Sequence, residues 1–175
     1  MRHTLRSLSI LGIAMAILGC ATVPDIMAGV SGFEKERYLG TWYELARFDF
    51  AFERNLNNTT ATYTAIDSGY IGVINRGYNY KTSKWSQVKG KARFKGSDAT
   101  AELKVSFFGP FYADYTVIAL DADYRYALVA GSSTKYLWLL SREKSIPDTV
   151  RASYLALAAS LGYVTDDLIW VEHSN

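Results

Sequence analysis

Hydrolysis of an ester or amide needs a nucleophile and a base held within hydrogen-bonding reach of each other. This chain carries two histidines: His3, inside a basic and apolar N-terminal stretch, and His173, third from the end. It has no Gly-x-Ser-x-Gly elbow that would aim a serine at either of them. Metal chemistry would need His, Cys and carboxylate side chains clustered at ligand spacing, and the sequence has no such cluster. We therefore expect no catalytic residues, no metal and no cofactor. What stands out is a different kind of residue. The chain is 14% aromatic, and many of these rings recur at every second position beside small apolar residues. That pattern suits a dry wall with a few hydroxyl and indole donors, which holds apolar molecules rather than transforming them.

The elements that would position these side chains are strands. Gly40 precedes Thr41 to Phe48, where period-two geometry puts Trp42, Glu44, Ala46 and Phe48 on one face. Thr41, Tyr43, Leu45 and Arg47 fall on the other, so both faces should be covered. Asp49 to Asn58 is long for a hairpin turn and reads as a lid-like loop. Thr60 to Ala65 alternates with Ala61, Tyr63 and Ala65 inward. Tyr70 to Tyr78 is a strand of open parity, because Asn75 and Arg76 interrupt it. The cleanest alternation follows. Val88, Gly90, Ala92 and Phe94 oppose Gln87, Lys89, Lys91 and Arg93; Ala101, Leu103, Val105 and Phe107 oppose Thr100, Glu102, Lys104 and Ser106. One wet face and one dry face mark an antiparallel sheet curled around an interior.

Tyr112 to Leu120 is the next strand, with either Tyr112 and Asp114 or Ala113 and Tyr115 pointing in. Tyr126 to Gly131 and Tyr136 to Arg142 complete eight strands, and the last is apolar on both sides. Its cover comes next in the chain. Ser145 is placed to cap a helix with Pro147 in its first turn and Asp148 near its positive end. Ile146, Val150, Tyr154, Leu157 and Leu161 follow helical spacing, and Gly162 suits the stop. Leu168 to Val171 is a short final strand. The expected fold is all-β: an eight-stranded antiparallel up-and-down β-barrel with one C-terminal α-helix packed on its outside.

The N-terminus carries a separate message. Arg2 and Arg6 precede an apolar run from Leu8 to Leu18, shorter than the ~20 residues of a membrane-spanning helix. The run ends Ile17-Leu18-Gly19-Cys20, which resembles the lipobox of bacterial lipoproteins. The resemblance implies a signal peptide over 1–19, cleavage before Cys20 and acylation of that residue. Ala21, where an Asp would imply inner-membrane retention, points to the outer membrane, with the domain on its periplasmic side. Residues 20–32, small and aperiodic, read as a tether, and 33–175 as one domain. Removing Arg2 and Arg6 from the 19 basic residues leaves 17 against 17 acidic ones. A neutral mature chain lacks the field that nucleic-acid binding needs, so that partner class is set aside. Cys20 is the sole cysteine, so no disulfide can tie the C-terminal tail to the barrel.

Three motifs resemble the signature of the lipocalins. Gly40-Thr41-Trp42 matches the first. Leu120-Asp121-Ala122-Asp123-Tyr124 is similar to the second, with Asp121 or Asp123 as the equivalent acid. Arg142, after Leu139-Leu140-Ser141, matches the third. Asn75-Arg76-Gly77-Tyr78 and the segment Val105 to Tyr112 look like the bacterial outer-membrane lipoprotein lipocalins, relatives of apolipoprotein D. The resemblance implies a lipocalin calyx in which Arg142 lies across Trp42 and satisfies carbonyls of the Phe33–Leu39 turn, sealing the floor. It also implies an interior that takes an acyl chain with its head at the mouth, from a fatty acid or a lysophospholipid. Pocket candidates are Tyr63, Phe94, Val105 and Phe107, with Tyr112, Tyr136 and Trp138 nearer the other strands. Glu44 can bind a ligand group, pair with an inward Arg or face water; a structural hydrogen-bonded role is favoured. The expected function is carriage or storage of such lipids in the envelope, for membrane maintenance or stress. Two alternatives stand beside it: an adaptor with a filled barrel that docks a partner or a second copy as a homodimer, and a lipid-modifying enzyme.

Overall fold

The protein is described by a computed structural model covering residues 28–66 and 69–174. The signal peptide, Cys20 and residues 20–27 of the expected tether lie outside the described residues. A short helix α1 (Lys35–Tyr38) leads into strands β1 (Gly40–Arg47), β2 (Leu56–Ala65), β3 (Ile71–Asn79) and β4 (Lys84–Phe94). These are followed by β5 (Glu102–Ser106), β6 (Ala113–Leu120), β7 (Tyr126–Ala130) and β8 (Leu137–Ser141). The chain then forms helix α2 (Asp148–Ser160) and a two-residue strand β9 (Ile169–Trp170). Neighbours in sequence pair antiparallel from β1 to β8, and β8 returns to pair with β1, so the sheet closes. Closure removes the free edges that would otherwise invite aggregation. Past Tyr43, where the pairing of β1 with β2 ends, β9 takes over that edge through Ala46 and Arg47.

Two apolar clusters follow from this geometry. The inner one joins Trp42, Tyr63, Val73, Ala92, Leu103, Val117 and Leu140 inside the barrel. The outer one places Leu45, Leu128, Leu137 and Leu139 beneath Tyr154, Ala158 and Tyr163. Helix α2 thus covers the strand that was apolar on both sides. Each large side chain buried there contributes ~1.5–3 kcal/mol. Gly162 ends the helix at φ +87°, a conformation that costs a side-chain-bearing residue more. The N-terminal end differs from the expectation. Pro147 occupies the cap position with no side-chain cap, and the Ser145 carbonyl instead accepts from the Ser141 hydroxyl at 3.0 Å.

Register settles the open parities, and bulges overturn others. Leu103 pairs with Tyr115 and Val105 with Ala113, so Ala113 and Tyr115 face inward and Tyr112 outward. In β1, Glu44 pairs with Leu140 but Ala46 with Leu139, which makes Leu45 an extra residue. Leu45 and Ala46 therefore both join the outer cluster, and Arg47 turns inward at 2% exposure. This corrects the expectation that Ala46 and Phe48 share the face of Trp42 and Glu44 while Arg47 lies on the other; Phe48 stacks on Tyr163 at 6.1 Å, outside the barrel. The expected tether also ends earlier. Val30 donates to Val117 O (2.9 Å) and accepts from Ala101 N (3.1 Å), stitching residues 29–32 between β5 and β6.

Candidate functional site

The barrel interior has three levels. At the closed end, Trp42 is fully buried and its indole donates to Tyr38 O at 2.9 Å. The Arg142 guanidinium carbon lies 4.0 Å from the Trp42 ring centroid. Its nitrogens donate to Arg37 O and Leu39 O at 2.8 Å, Thr41 O at 3.0 Å and Tyr124 O at 3.3 Å. A Cβ on Gly40, which sits at φ +96°, would stand 3.2 Å from this guanidinium. Of the two acids in the second motif, Asp121 holds the turn: its Oδ1 accepts from the backbone of Arg125 and Tyr126 at 2.6 Å each. Just above, Tyr115 shares its hydroxyl with Tyr38 (2.7 Å) and Tyr63 (2.8 Å). Burial pushes all three phenols well above their ordinary ionisation range. With Phe94 against Phe33 at 6.1 Å, rings fill this level.

The middle level is polar. Glu44 Oε1 accepts from Arg47 Nη1 (3.0 Å) and Thr59 Oγ1 (3.2 Å). Arg47 Nη2 donates to the carbonyls of Glu53 (2.6 Å) and Leu56 (3.1 Å). Its Nε is buried, makes no hydrogen bond, and faces Glu53 Oε2 at 3.7 Å. Glu53 Oε2 in turn accepts from the Trp138 indole at 3.2 Å. Desolvation, then the neighbouring Glu53 carboxylate, push the Glu44 carboxyl well above the usual carboxylate range, against the pull of Arg47 and Thr59. Glu53 is raised by desolvation too, with Arg47 and Trp138 opposing. Two carboxyls face one guanidinium here, so the site is electrically balanced only when one of them is protonated.

The mouth is roofed by the loop joining β1 to β2. Phe50 meets Trp138 edge-on at 5.4 Å, Phe52 stacks on Phe108 of the β5–β6 loop at 6.4 Å, and Glu53 reaches inward. The lid-like loop is therefore shorter than expected, because β2 already begins at Leu56. Side chains that face inward change exposure along the barrel. Trp42, Ala92, Val117 and Ala127 at the base are sealed, whereas Val88, Phe107 and Trp138 are half-buried and Tyr136 is 38% exposed. Two concavities lie elsewhere. One of about 310 Å³ runs outside the closed end past Arg37 and Asp121, and one of about 270 Å³ opens where β4 and β5 part, at Gly90 and Phe107.

The pocket candidates thus separate. Tyr63 and Phe94 belong to the filled base, Val105 to the wall above it, and Phe107, Tyr136 and Trp138 to the mouth. Tyr112 joins none of them: its ring lies 5.2 Å from the guanidinium of Arg93, on the wet face. Sequence reasoning missed Arg47 and Glu53. A bulge leaves no trace in the alternation that hid Arg47, and a carboxylate in a polar loop gives no sign of burial. Tyr115 was visible as one of two open parities.

These features have counterparts in known proteins. A family described as a lipocalin-like domain matches residues 33–173. The outer membrane lipoprotein Blc of Citrobacter freundii is 50% identical over 161 residues, covering 91% of each chain. Its counterpart in Vibrio cholerae is 40% identical over 96% of this chain and 99% of that one. Among solved structures, the cockroach allergen Per a 4 superposes with a TM-score of 0.66 at 25% identity, covering 83% of this chain and 92% of that one. The names of the bacterial relatives agree with the lipid-anchored, outer-membrane location that Cys20 and its flanks led us to expect. Closed barrel, Trp42 under Arg142, the Asp121 turn and the outer helix converge on one assignment: the chain belongs to the lipocalin family.

Proposed function

We propose that the barrel binds and carries an amphiphilic lipid, a fatty acid or a lysophospholipid, at the outer membrane in the service of membrane maintenance or stress. The observation that carries this reading is the gradient of exposure along the inward positions. A barrel packed solid would seal Val88, Phe107 and Trp138 as tightly as Trp42 and Val117, and they are only half-buried instead. The filled base limits how deep a tail can go. About ten buried methylenes at ~0.8 kcal/mol each set a ceiling near ~8 kcal/mol. That ceiling corresponds to a Kd of about 1 μM, and association and ordering costs weaken binding from there. Binding, rather than turnover, is the reading that fits the family and the aromatic mouth.

Native mass spectrometry of the delipidated protein titrated with lysophospholipid tests this. A saturable one-to-one adduct is expected, weakened several-fold by Trp138→Ala, and the same spectra report monomer against homodimer. No adduct at ligand concentrations well above micromolar refutes the carriage reading. An unchanged affinity in Trp138→Ala removes Trp138 from the site.

A further inference from the structure

The lid places a carboxylate deep in the barrel, against the donors that a lipid head group would use. We propose that Arg47 Nε and the Trp138 indole N–H form the seat for the carboxylate of a bound fatty acid, and that Glu53 occupies this seat in the ligand-free protein. The inference rests on the carriage reading and names the ligand class that reading leaves open. Three observations support it. Glu53 Oε2 lies 3.2 Å from the Trp138 indole nitrogen and 3.7 Å from Arg47 Nε. Arg47 is 98% removed from solvent and yet its Nε makes no hydrogen bond, so a buried donor waits for an acceptor closer than Glu53 comes. The carboxylate in place also comes from the loop between β1 and β2 and not from a barrel strand, so its departure costs the Arg47 Nη2 to Glu53 O bond of 2.6 Å but unpairs no strand.

Charge balance favours a carboxylate over a neutral head. With the shared proton held on Glu44, moving Glu53 out removes the negative charge that balances Arg47, and a ligand carboxylate restores it; an alcohol does not. Shape adds to this, since the group now in the seat is itself a planar carboxylate on a flexible stem. A tail attached there would run along Val88, Val105 and Phe107, above the phenol-filled base. Phe52 and Phe108, stacked across the mouth, would separate as the lid lifts.

Isothermal titration calorimetry with laurate, 1-dodecanol and a lysophosphatidylethanolamine of matched chain length tests the seat in wild type, Glu53→Gln and Trp138→Phe. The quantity read is the laurate-to-dodecanol affinity ratio, which cancels effects on tail binding and keeps the part specific to a carboxylate, the displacement of Glu53 from the seat. Glu53→Gln keeps the side-chain volume and removes the competing charge, so the ratio should rise about tenfold. Trp138→Phe keeps an aromatic wall and removes one donor to the anion, so the ratio should fall about tenfold. Ratios unchanged in both variants, with laurate and dodecanol still binding, overturn the seat and leave carriage standing. A response of the lysophospholipid with none from laurate also overturns it, because the seat would then take a phosphate. Failure of every ligand to bind wild type overturns the carriage reading and this inference together.

Discussion

Replacing Arg142 with Ala tests the physical account of the barrel floor. The side chain ties three segments that are far apart in sequence: the α1 turn through Arg37 O and Leu39 O, β1 through Thr41 O, and the β6–β7 turn through Tyr124 O. A hydrogen bond to a charged donor contributes ~1.5–3 kcal/mol when buried. Arg142 is half-buried, so the two 2.8 Å bonds are discounted to ~1 kcal/mol each. The guanidinium over Trp42 adds ~1 kcal/mol. The loss is then ~3 kcal/mol, which for a domain of this size lowers Tm by ~6–12 °C. Arg142→Lys keeps a point charge but cannot reach several carbonyls at once, so it should lose about half as much. Urea unfolding followed by tryptophan fluorescence measures both. A loss below ~1 kcal/mol for the Ala variant, or equal stability of Lys and Arg, refutes the claim that a planar, many-donor group closes the floor.

Other consequences follow from the middle level and the edges. Glu44 has a folded-state pKa raised above its ordinary 4.5, so the folded protein holds a proton that the unfolded chain releases. Its contribution to stability is complete below pH 4.5 and declines as pH rises through the folded value; Glu44→Gln should flatten that slope in urea midpoints taken across pH, and an unaltered slope refutes it. His173 runs the other way, because burial lowers its pKa from 6.5: stability is lost as pH falls below 6.5, and NMR titration of its ring should show the depressed value. Tyr115→Phe leaves the Tyr38 and Tyr63 hydroxyls without their shared partner and should cost ~2 kcal/mol in equilibrium unfolding with an unchanged m-value. Gly29→Ala sets a Cβ 2.8 Å from the Ala101 carbonyl carbon, so residues 29–32 should lift away and limited proteolysis there should quicken; cleavage at the wild-type rate refutes the stitching.

Much of the fold was legible because most strands keep strict alternation. The Val88–Phe94 and Ala101–Phe107 runs are dry on one side and wet on the other, and the register of β4 with β5 places Ala92 opposite Val105 as that alternation requires. The floor was legible by resemblance: Gly40, Trp42 and Arg142 meet as implied. Failures occur where a single residue is inserted. Leu45 in β1 and Ile118 in β6 are both extra residues against their partners, and each reverses the face of everything after it. Periodicity holds up to a bulge and then inverts, with no change in composition to announce it.

The polar centre lies just past one of those inversions, and that position is informative. Without the bulge, Arg47 would point outward into the cluster beneath α2 and Glu44 would keep the Thr59 hydroxyl but no counter-ion. An unpaired buried carboxylate costs several kcal/mol or stays protonated throughout. The bulge instead returns Arg47 to the interior three residues from Glu44, where it pairs at 3.0 Å and still leaves Nε directed at Glu53. One inserted residue therefore supplies both the counter-ion that makes Glu44 tolerable and the open donor that the lid covers. Removing it alone, as in deletion of Leu45, should turn Arg47 out and expose the dependence: the barrel would lose stability at neutral pH and recover part of it in acid, where Glu44 is neutral. A deletion variant with wild-type stability at every pH would mean that the inward turn of Arg47 is incidental to the fold.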